Sequence, residues 1–248
     1  MTFDILKRFP QIKHLVSEKD LGRGCGFSLA LHTGEDETLI RSNRLALEED
    51  FGEGYHFCGV RQVHSAEIAV IDQPQSIGWR ELDSTVEADA LVTNVPQMVL
   101  TILTADCVPI LLYDPACGAI GAVHAGWKGT HAEILPKTIQ KMQAHYGSQA
   151  EDIIVAIGPA IGQCCYEVGR EVAEHFIAYE GAVVDGVSEG KYQLDLKRVN
   201  RLQAAQSGVL QKHIEVTALC TACERERFFS YRAEQGCSGR FVSAIGLC

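Results

Sequence analysis

The sequence predicts an α/β (α+β) fold, a single domain of mixed β-sheets flanked by helices. Three observations carry that expectation. Short apolar runs of strand length fill the middle of the chain, Gly, Pro and Asp residues separate them, and helical patterns are interspersed without strict alternation. With 46% hydrophobic and 22% charged residues among 248, the chain can bury a substantial core. No repeat, low-complexity tract or Pro/Ser-rich linker divides residues 1–248, although the first fifth is less regular.

In chain order, Asp20 to Gly54 is rich in Gly and acidic residues and reads as loops and short strands, with a short helix beginning within Asn43 to Leu47. Tyr55 to Val60 and Glu67 to Ile71 read as strands by alternation. Ala90 to Thr93, Met98 to Thr104, Val108 to Tyr113 and Ala119 to His124 are continuous apolar runs, the pattern of strands covered on both faces. A helix follows Gly126-Trp127, with Pro136 placed to kink or split it. Ile153 to Ile157 is a further strand and Glu171 to Tyr179 a helix. Asp195 suits the N-cap of a helix that carries Leu196, Val199, Leu202, Ala205 and Val209 on one stripe. His213 to Ala218, Phe228 to Tyr231 and Phe241 to Ile245 close the chain as strands.

A formal charge of −10 with no Lys/Arg cluster excludes a general nucleic-acid binder, which needs a basic face to neutralise phosphates. Met1 to Val16 has no apolar core of signal-peptide length, and the most apolar stretch, Val95 to Tyr113, is broken by Asp106 and Pro109. A cytoplasmic protein without a membrane span is expected, and in that reducing compartment the ten cysteines remain thiols.

Three segments carry chemistry: Arg61-Gln62-Val63-His64-Ser65, Thr104-Ala105-Asp106-Cys107-Val108-Pro109 and Gly121-Ala122-Val123-His124-Ala125-Gly126-Trp127. Each places a metal donor at the end or start of an apolar strand, where a rigid sheet holds a group that a loop exposes. One thiolate and two neutral imidazoles make a zinc shell with its fourth position open. Zinc there keeps Cys107 deprotonated and brings the pKa of a bound water toward neutrality. Taken singly, each residue also reads as a core thiol or as a histidine satisfied by a carbonyl. Asp106 either supports a metal-bound histidine or bonds the local backbone.

The three segments resemble the signature of the YfiH-type family, also called the laccase-domain or polyphenol oxidase family, the purine nucleoside phosphorylase family of that type and peptidoglycan editing factor. The similarity runs from Asn43-Arg44 to the C-terminus and includes Ala88-Asp89-Ala90-Leu91-Val92-Thr93, Ile157-Gly158-Pro159-Ala160-Ile161-Gly162, Cys164-Cys165-Tyr166-Glu167-Val168, Phe229-Ser230-Tyr231-Arg232 and Gly239-Arg240. The resemblance implies that His64, Cys107 and His124 bind zinc, with Cys107 and His124 also catalytic, and that copper is the less favoured occupant. Arg44 and Gln62 are the candidate substrate contacts. Lys128, Arg232 and Arg240 read as a solvated cation and two fold-supporting ones. The family's Gly-Gly-Val-Ser-like run is replaced by Gly22-Arg23-Gly24-Cys25-Gly26.

Cys220-Thr221-Ala222-Cys223 has the form of a redox or zinc knuckle pair, but no second pair stands at zinc-ribbon spacing and the preceding segment reads as a strand; the resemblance takes in Cys220-Thr221 and implies that Cys223 is incidental. Cys164 and Cys165, if on a strand, face opposite sides. The function implied by the resemblance is phosphorolysis of adenosine, inosine, guanosine and methylthioadenosine, with adenosine deamination. The partners are then a purine nucleoside and phosphate. The alternative is removal of a wrongly added amino acid from a muramyl-peptide precursor, with a Cys107–His124 nucleophile–base pair. Copper-dependent phenol oxidation is disfavoured, because none of the nine histidines forms a His-x-His pair.

Overall fold

The computed structural model describes residues 1–80, 86–236 and 239–248. Its elements, in chain order, are β1 (Ile12–Val16), α1 (Glu37–Phe51), β2 (His56–Cys58), β3 (Ile68–Val70), β4 (Ala90–Thr93), β5 (Met98–Thr104), β6 (Val108–Asp114), β7 (Ala119–Ala125), α2 (Trp127–His131) and α3 (Ile134–Tyr146). There follow β8 (Ile154–Ile157), β9 (Glu167–Gly169), α4 (Arg170–Ala173), β10 (Val183–Asp185), β11 (Lys191–Leu194), α5 (Leu196–Gln206), β12 (Ile214–Val216) and β13 (Phe241–Leu247).

Two sheets pack face to face between helices. One has the order β1-β13-β5-β2 and the other β12-β8-β6-β7-β4-β3, with a small β10-β11-β9 sheet beside them. Alternation along the central strands builds the layers. On β6, Leu111 and Tyr113 join β5 residues Leu100 and Ile102 in the core between the sheets. Their neighbours Ile110 and Leu112 point the other way, onto Ile139 and Met142 of α3 and Val199 of α5. The outer face of the four-stranded sheet receives Leu47 and Phe51 of α1 against Val99, Val242 and Ala244. Continuous apolar runs are thus explained by burial on both faces, and each such Leu or Ile contributes roughly 1.5–3 kcal/mol.

The mixed α/β class and the central strands agree with the sequence reading; the differences have local causes. The N-terminal region holds a fifteen-residue helix, α1, rather than a short helix among loops. Asp36 caps it by accepting from the Thr38 and Leu39 amides, and Ile40, Asn43, Arg44, Leu47 and Phe51 form its buried face. Two polar members in that face hide the apolar stripe. The helix after Trp127 breaks at Glu133, which is left-handed (φ 59°), and not at Pro136. Pro136 lies in the first turn of α3, where its missing N–H costs nothing. On α5 the buried residues are Leu196, Lys197, Val199, Asn200, Gln203 and Ala204, displaced from the expected stripe because Asn200 and Gln203 bond Thr130 on α2. Phe228 to Tyr231 is not a strand, and β1 and β9 to β11 were not anticipated. Among the described residues no helix is long and apolar enough to cross a membrane.

Candidate metal centre

The crossover from one sheet to the other creates the site. Residues 105–107 carry the chain from β5 to β6, and the reversal is made at Asp106, whose φ is 87°. A non-glycine residue holds that conformation only when its surroundings over-determine it. Here the Asp106 carboxylate accepts from Thr221 Oγ1 at 2.6 Å and from the Arg232 amide at 2.6 Å. Asp106 therefore fixes the turn that presents Cys107, and it does so through partners distant in sequence, neither a metal-bound histidine nor the local backbone.

His124 lies on β7 opposite Pro109 of β6, so its position is set by the sheet register. His64 sits in the loop before β3 with a left-handed backbone (φ 60°). The ligand atoms of His64, Cys107 and His124 lie within 4.8 Å of one another, with Cys107 Sγ 3.7 Å from His64 Nε2. The two imidazole rings meet edge to face, 4.8 Å between centroids. His124 is buried, Cys107 half-buried and His64 exposed, so the group opens to solvent on one side.

Asp89, the residue before β4, holds the two histidines in place. It is wholly buried. Its Oδ1 accepts from the His64 amide at 3.0 Å and faces His124 Nδ1 at 2.7 Å. Its Oδ2 accepts from the Val63 and Ser65 amides and from Ser65 Oγ. Three successive amides of the 63–65 loop thus enclose one carboxylate, which satisfies a buried charge and shapes the loop. Bonding Nδ1 to Asp89 leaves His124 Nε2 for a metal.

The donor set fits zinc: two imidazoles and one thiol, convergent, with one open side. Gly126 completes the fit, because a Cβ there would fall 3.0 Å from both Cys107 Sγ and His64 Cδ2. The electrostatics also suit a cation. Burial pushes the Cys107 thiol up, yet the neighbouring His124 and His64 outweigh it and bring the pKa down to about 6. Burial likewise pushes His124 down, and the Cys107 thiolate and Asp89 outweigh it in the other direction. Without metal, both directions favour a thiolate beside an imidazolium. In metal-free protein, Cys107 alkylation by iodoacetamide, followed by peptide mass spectrometry, should therefore rise through pH about 6 and not near an ordinary thiol's pKa of about 8.5. In His124→Ala the midpoint should move upward, since the positive partner is gone.

Arg44 and Gln62 are held by backbone. The buried Arg44 guanidinium donates from Nε to Leu29 O at 2.8 Å and from Nη1 to Trp79 O, and lies over the Trp79 ring. Gln62 exchanges hydrogen bonds with Leu103 O and N at 2.8 and 2.9 Å. Both side chains therefore tie loops to the frame. Lys128 is exposed beside the Trp127 ring. Arg232 supports the fold through the Glu167 carbonyl and the Tyr166 ring. Arg240 stacks on Tyr231 and feels the charges of Cys107 and Asp106. Sequence reasoning missed Asp89 as a functional residue. Its signal was an acidic residue opening a fully apolar strand with no cation nearby in sequence. Two cysteine readings are corrected as well. Cys164 and Cys165 lie in a turn with both thiols on one side, and Cys223 joins them and Cys220 in one group.

Comparison with known proteins gives the family. The chain belongs to the family described as multi-copper polyphenol oxidoreductase laccase, which matches residues 15–248. It is 37% identical over 234 residues to "Purine nucleoside phosphorylase YlmD" of Geobacillus stearothermophilus, covering 91% of this chain and 85% of that one. It is 35% identical over 227 residues to "Adenosine deaminase RL5" from an unknown prokaryotic organism, covering 89% and 86% respectively. The crystal structure of Bacillus licheniformis hypothetical protein YfiH superposes with a TM-score of 0.89 at 32% identity, covering 96% of this chain and 93% of that one. The YfiH-type resemblance drawn from the motifs is thereby borne out, and relatives named as enzymes surround the chain.

Proposed function

We propose that this chain is a cytoplasmic, zinc-dependent purine nucleoside phosphorylase acting on adenosine, inosine, guanosine and methylthioadenosine, with adenosine deamination as a second activity. The observation that carries the reading is the open grouping of His64, Cys107 and His124 fixed by Asp89. When bound, zinc supplies Lewis acidity at the open side.

The chain's own residues do the rest. Asp89 holds His124 in one tautomer and orientation. Cys107 and His124 would hold the zinc together with His64, and Gly126 keeps the approach clear. Arg240, near Cys107 and Asp106, supplies positive charge that draws a phosphate dianion against the chain's net −10. Gln62 and Arg44 act by positioning: one ties the His64 loop to β5, the other ties α1 to its neighbours.

Incubating purified protein with adenosine tests the reading. Adenine should form only with phosphate, accompanied by ribose 1-phosphate, and inosine should form without it. A metal-loaded protein that leaves every purine nucleoside unchanged would falsify the proposal. The closeness of Cys107 to His124 favours a second reading, hydrolysis of a misplaced amino acid from a muramyl-peptide, which that outcome would bring forward. Among the described residues no imidazole-rich group accompanies this one, which weighs against a multicopper centre.

A further inference from the structure

Four thiols meet around the Cys220–Cys223 segment, whose Thr221 bonds Asp106. Strands β8 and β12 are parallel neighbours, so the loops that follow them leave the same end of the sheet. Ala160 and Cys220 bridge the two loops, with the Thr221 amide donating to Ala160 O at 3.1 Å. The first loop turns at 163–165 and brings Cys164 and Cys165 to one side; the second folds as a Cys-x-x-Cys turn in which the Cys223 amide donates to Cys220 O.

All four Sγ atoms lie within 4.8 Å of one another. Cys164–Cys165, Cys164–Cys223 and Cys165–Cys223 are separated by 3.7, 3.7 and 3.4 Å. These spacings exceed the ~2.05 Å of a disulfide. They match the roughly 3.8 Å between sulfurs of a tetrahedral ion whose metal–sulfur bonds are about 2.3 Å. Thiols are weak mutual hydrogen-bond partners, so packing four of them together has little to recommend it without an occupant.

Two further features belong to a thiolate site. The Gly162 amide donates to Cys220 Sγ at 3.1 Å, and a Cβ at position 162 would fall 3.2 Å from Cys164 Sγ and 3.1 Å from Cys220 Cβ. The buried Lys197 ammonium, held by Thr217 O and Leu219 O, lies close enough to Cys164 and Cys220 to feel their charge. It offsets the excess negative charge that four thiolates leave around a dication.

We propose that Cys164, Cys165, Cys220 and Cys223 bind a single zinc ion in a closed tetrathiolate site, separate from the His64–Cys107–His124 centre. Four protein ligands leave no open position, so the role is structural. The ion clamps the edge strand β12 to β8 and fixes Thr221, whose hydroxyl holds the Asp106 carboxylate beside Cys107. This site does not depend on the reaction the chain performs.

Metal analysis of the full chain, purified under reducing conditions without chelator, tests the proposal. Two zinc ions per chain are expected in the wild type and one in Cys107→Ala, with that remaining ion lost in Cys107→Ala/Cys220→Ser. Cobalt-substituted Cys107→Ala should show the intense sulfur-to-metal charge-transfer absorption of a tetrathiolate. If the double variant does not fold, mercurial titration of Cys107→Ala decides: its one zinc should leave as the four thiols are modified. Metal-free Cys107→Ala with freely alkylated thiols, a disulfide among the four, or iron in place of zinc would each overturn the assignment.

Discussion

Cys107→Ala should lose nucleoside phosphorolysis and the metal of the His64–Cys107–His124 centre together. The thiolate is one of three donors, and no other side chain among the described residues groups with the two imidazoles to replace it. A Lewis acid is worth several kcal/mol of transition-state stabilisation. At about 1.4 kcal/mol per factor of ten, its loss lowers kcat/KM by roughly 10³-fold or more. Cys107→Ser should retain part of the metal but little activity, because an alcohol is a poor donor to zinc beside a thiolate. The zinc held by the four cysteines should be unaffected, so the metal count falls by one and the fold persists. Retained turnover in a variant that has lost this metal would separate the reaction from the metal.

The second large effect is expected at Asp89. Asparagine has the same shape, but each carboxylate oxygen faces at least two groups: Oδ1 meets the His64 amide and His124 Nδ1, and Oδ2 meets the Val63 and Ser65 amides and the Ser65 hydroxyl. Whichever way the amide is turned, its –NH2 confronts donors. It also removes the counter-charge from His124, whose protonated form the carboxylate supports. Breaking one member of such a buried set costs about 3–5 kcal/mol, or roughly 10 °C in Tm for a chain of this size. Thermal unfolding of metal-free Asp89→Asn measures that cost without the contribution of the ion. Zinc affinity should fall 10–100-fold as the histidines lose their orientation. An unchanged Tm would mean that the 63–65 loop is held by something other than the carboxylate.

The legible parts of this molecule were those with one physical cause. Continuous apolar runs such as Val108 to Tyr113 could be read because two buried faces leave no polar positions. The Asp195 cap could be read because the cap and its amide are local: its side chain accepts from Arg198 N. His64, Cys107 and His124 stood out through the resemblance of their segments, since nothing in their spacing brings them together. That convergence comes from sheet register and from a left-handed turn at Asp106.

What escaped were polar residues with long-range partners. Arg44 had the look of a substrate contact, but Leu29 and Trp79 take its guanidinium. Asn200 and Gln203 hid the buried face of α5 because their partner, Thr130, lies on a different helix. The four cysteines looked unrelated because Cys164 and Cys165 reach the Cys220–Cys223 turn only through the parallel pairing of β8 and β12.

In the proposed reaction, zinc at the His64–Cys107–His124 centre drives phosphate-dependent nucleoside cleavage. The most direct test is a zinc titration of protein stripped of metal at that centre, with adenine release followed at saturating phosphate. The rate should rise in proportion to zinc bound there, reach its plateau at one equivalent, and disappear when phosphate is omitted. Full turnover by the stripped protein, or activity that appears only with copper and a phenol, would contradict it.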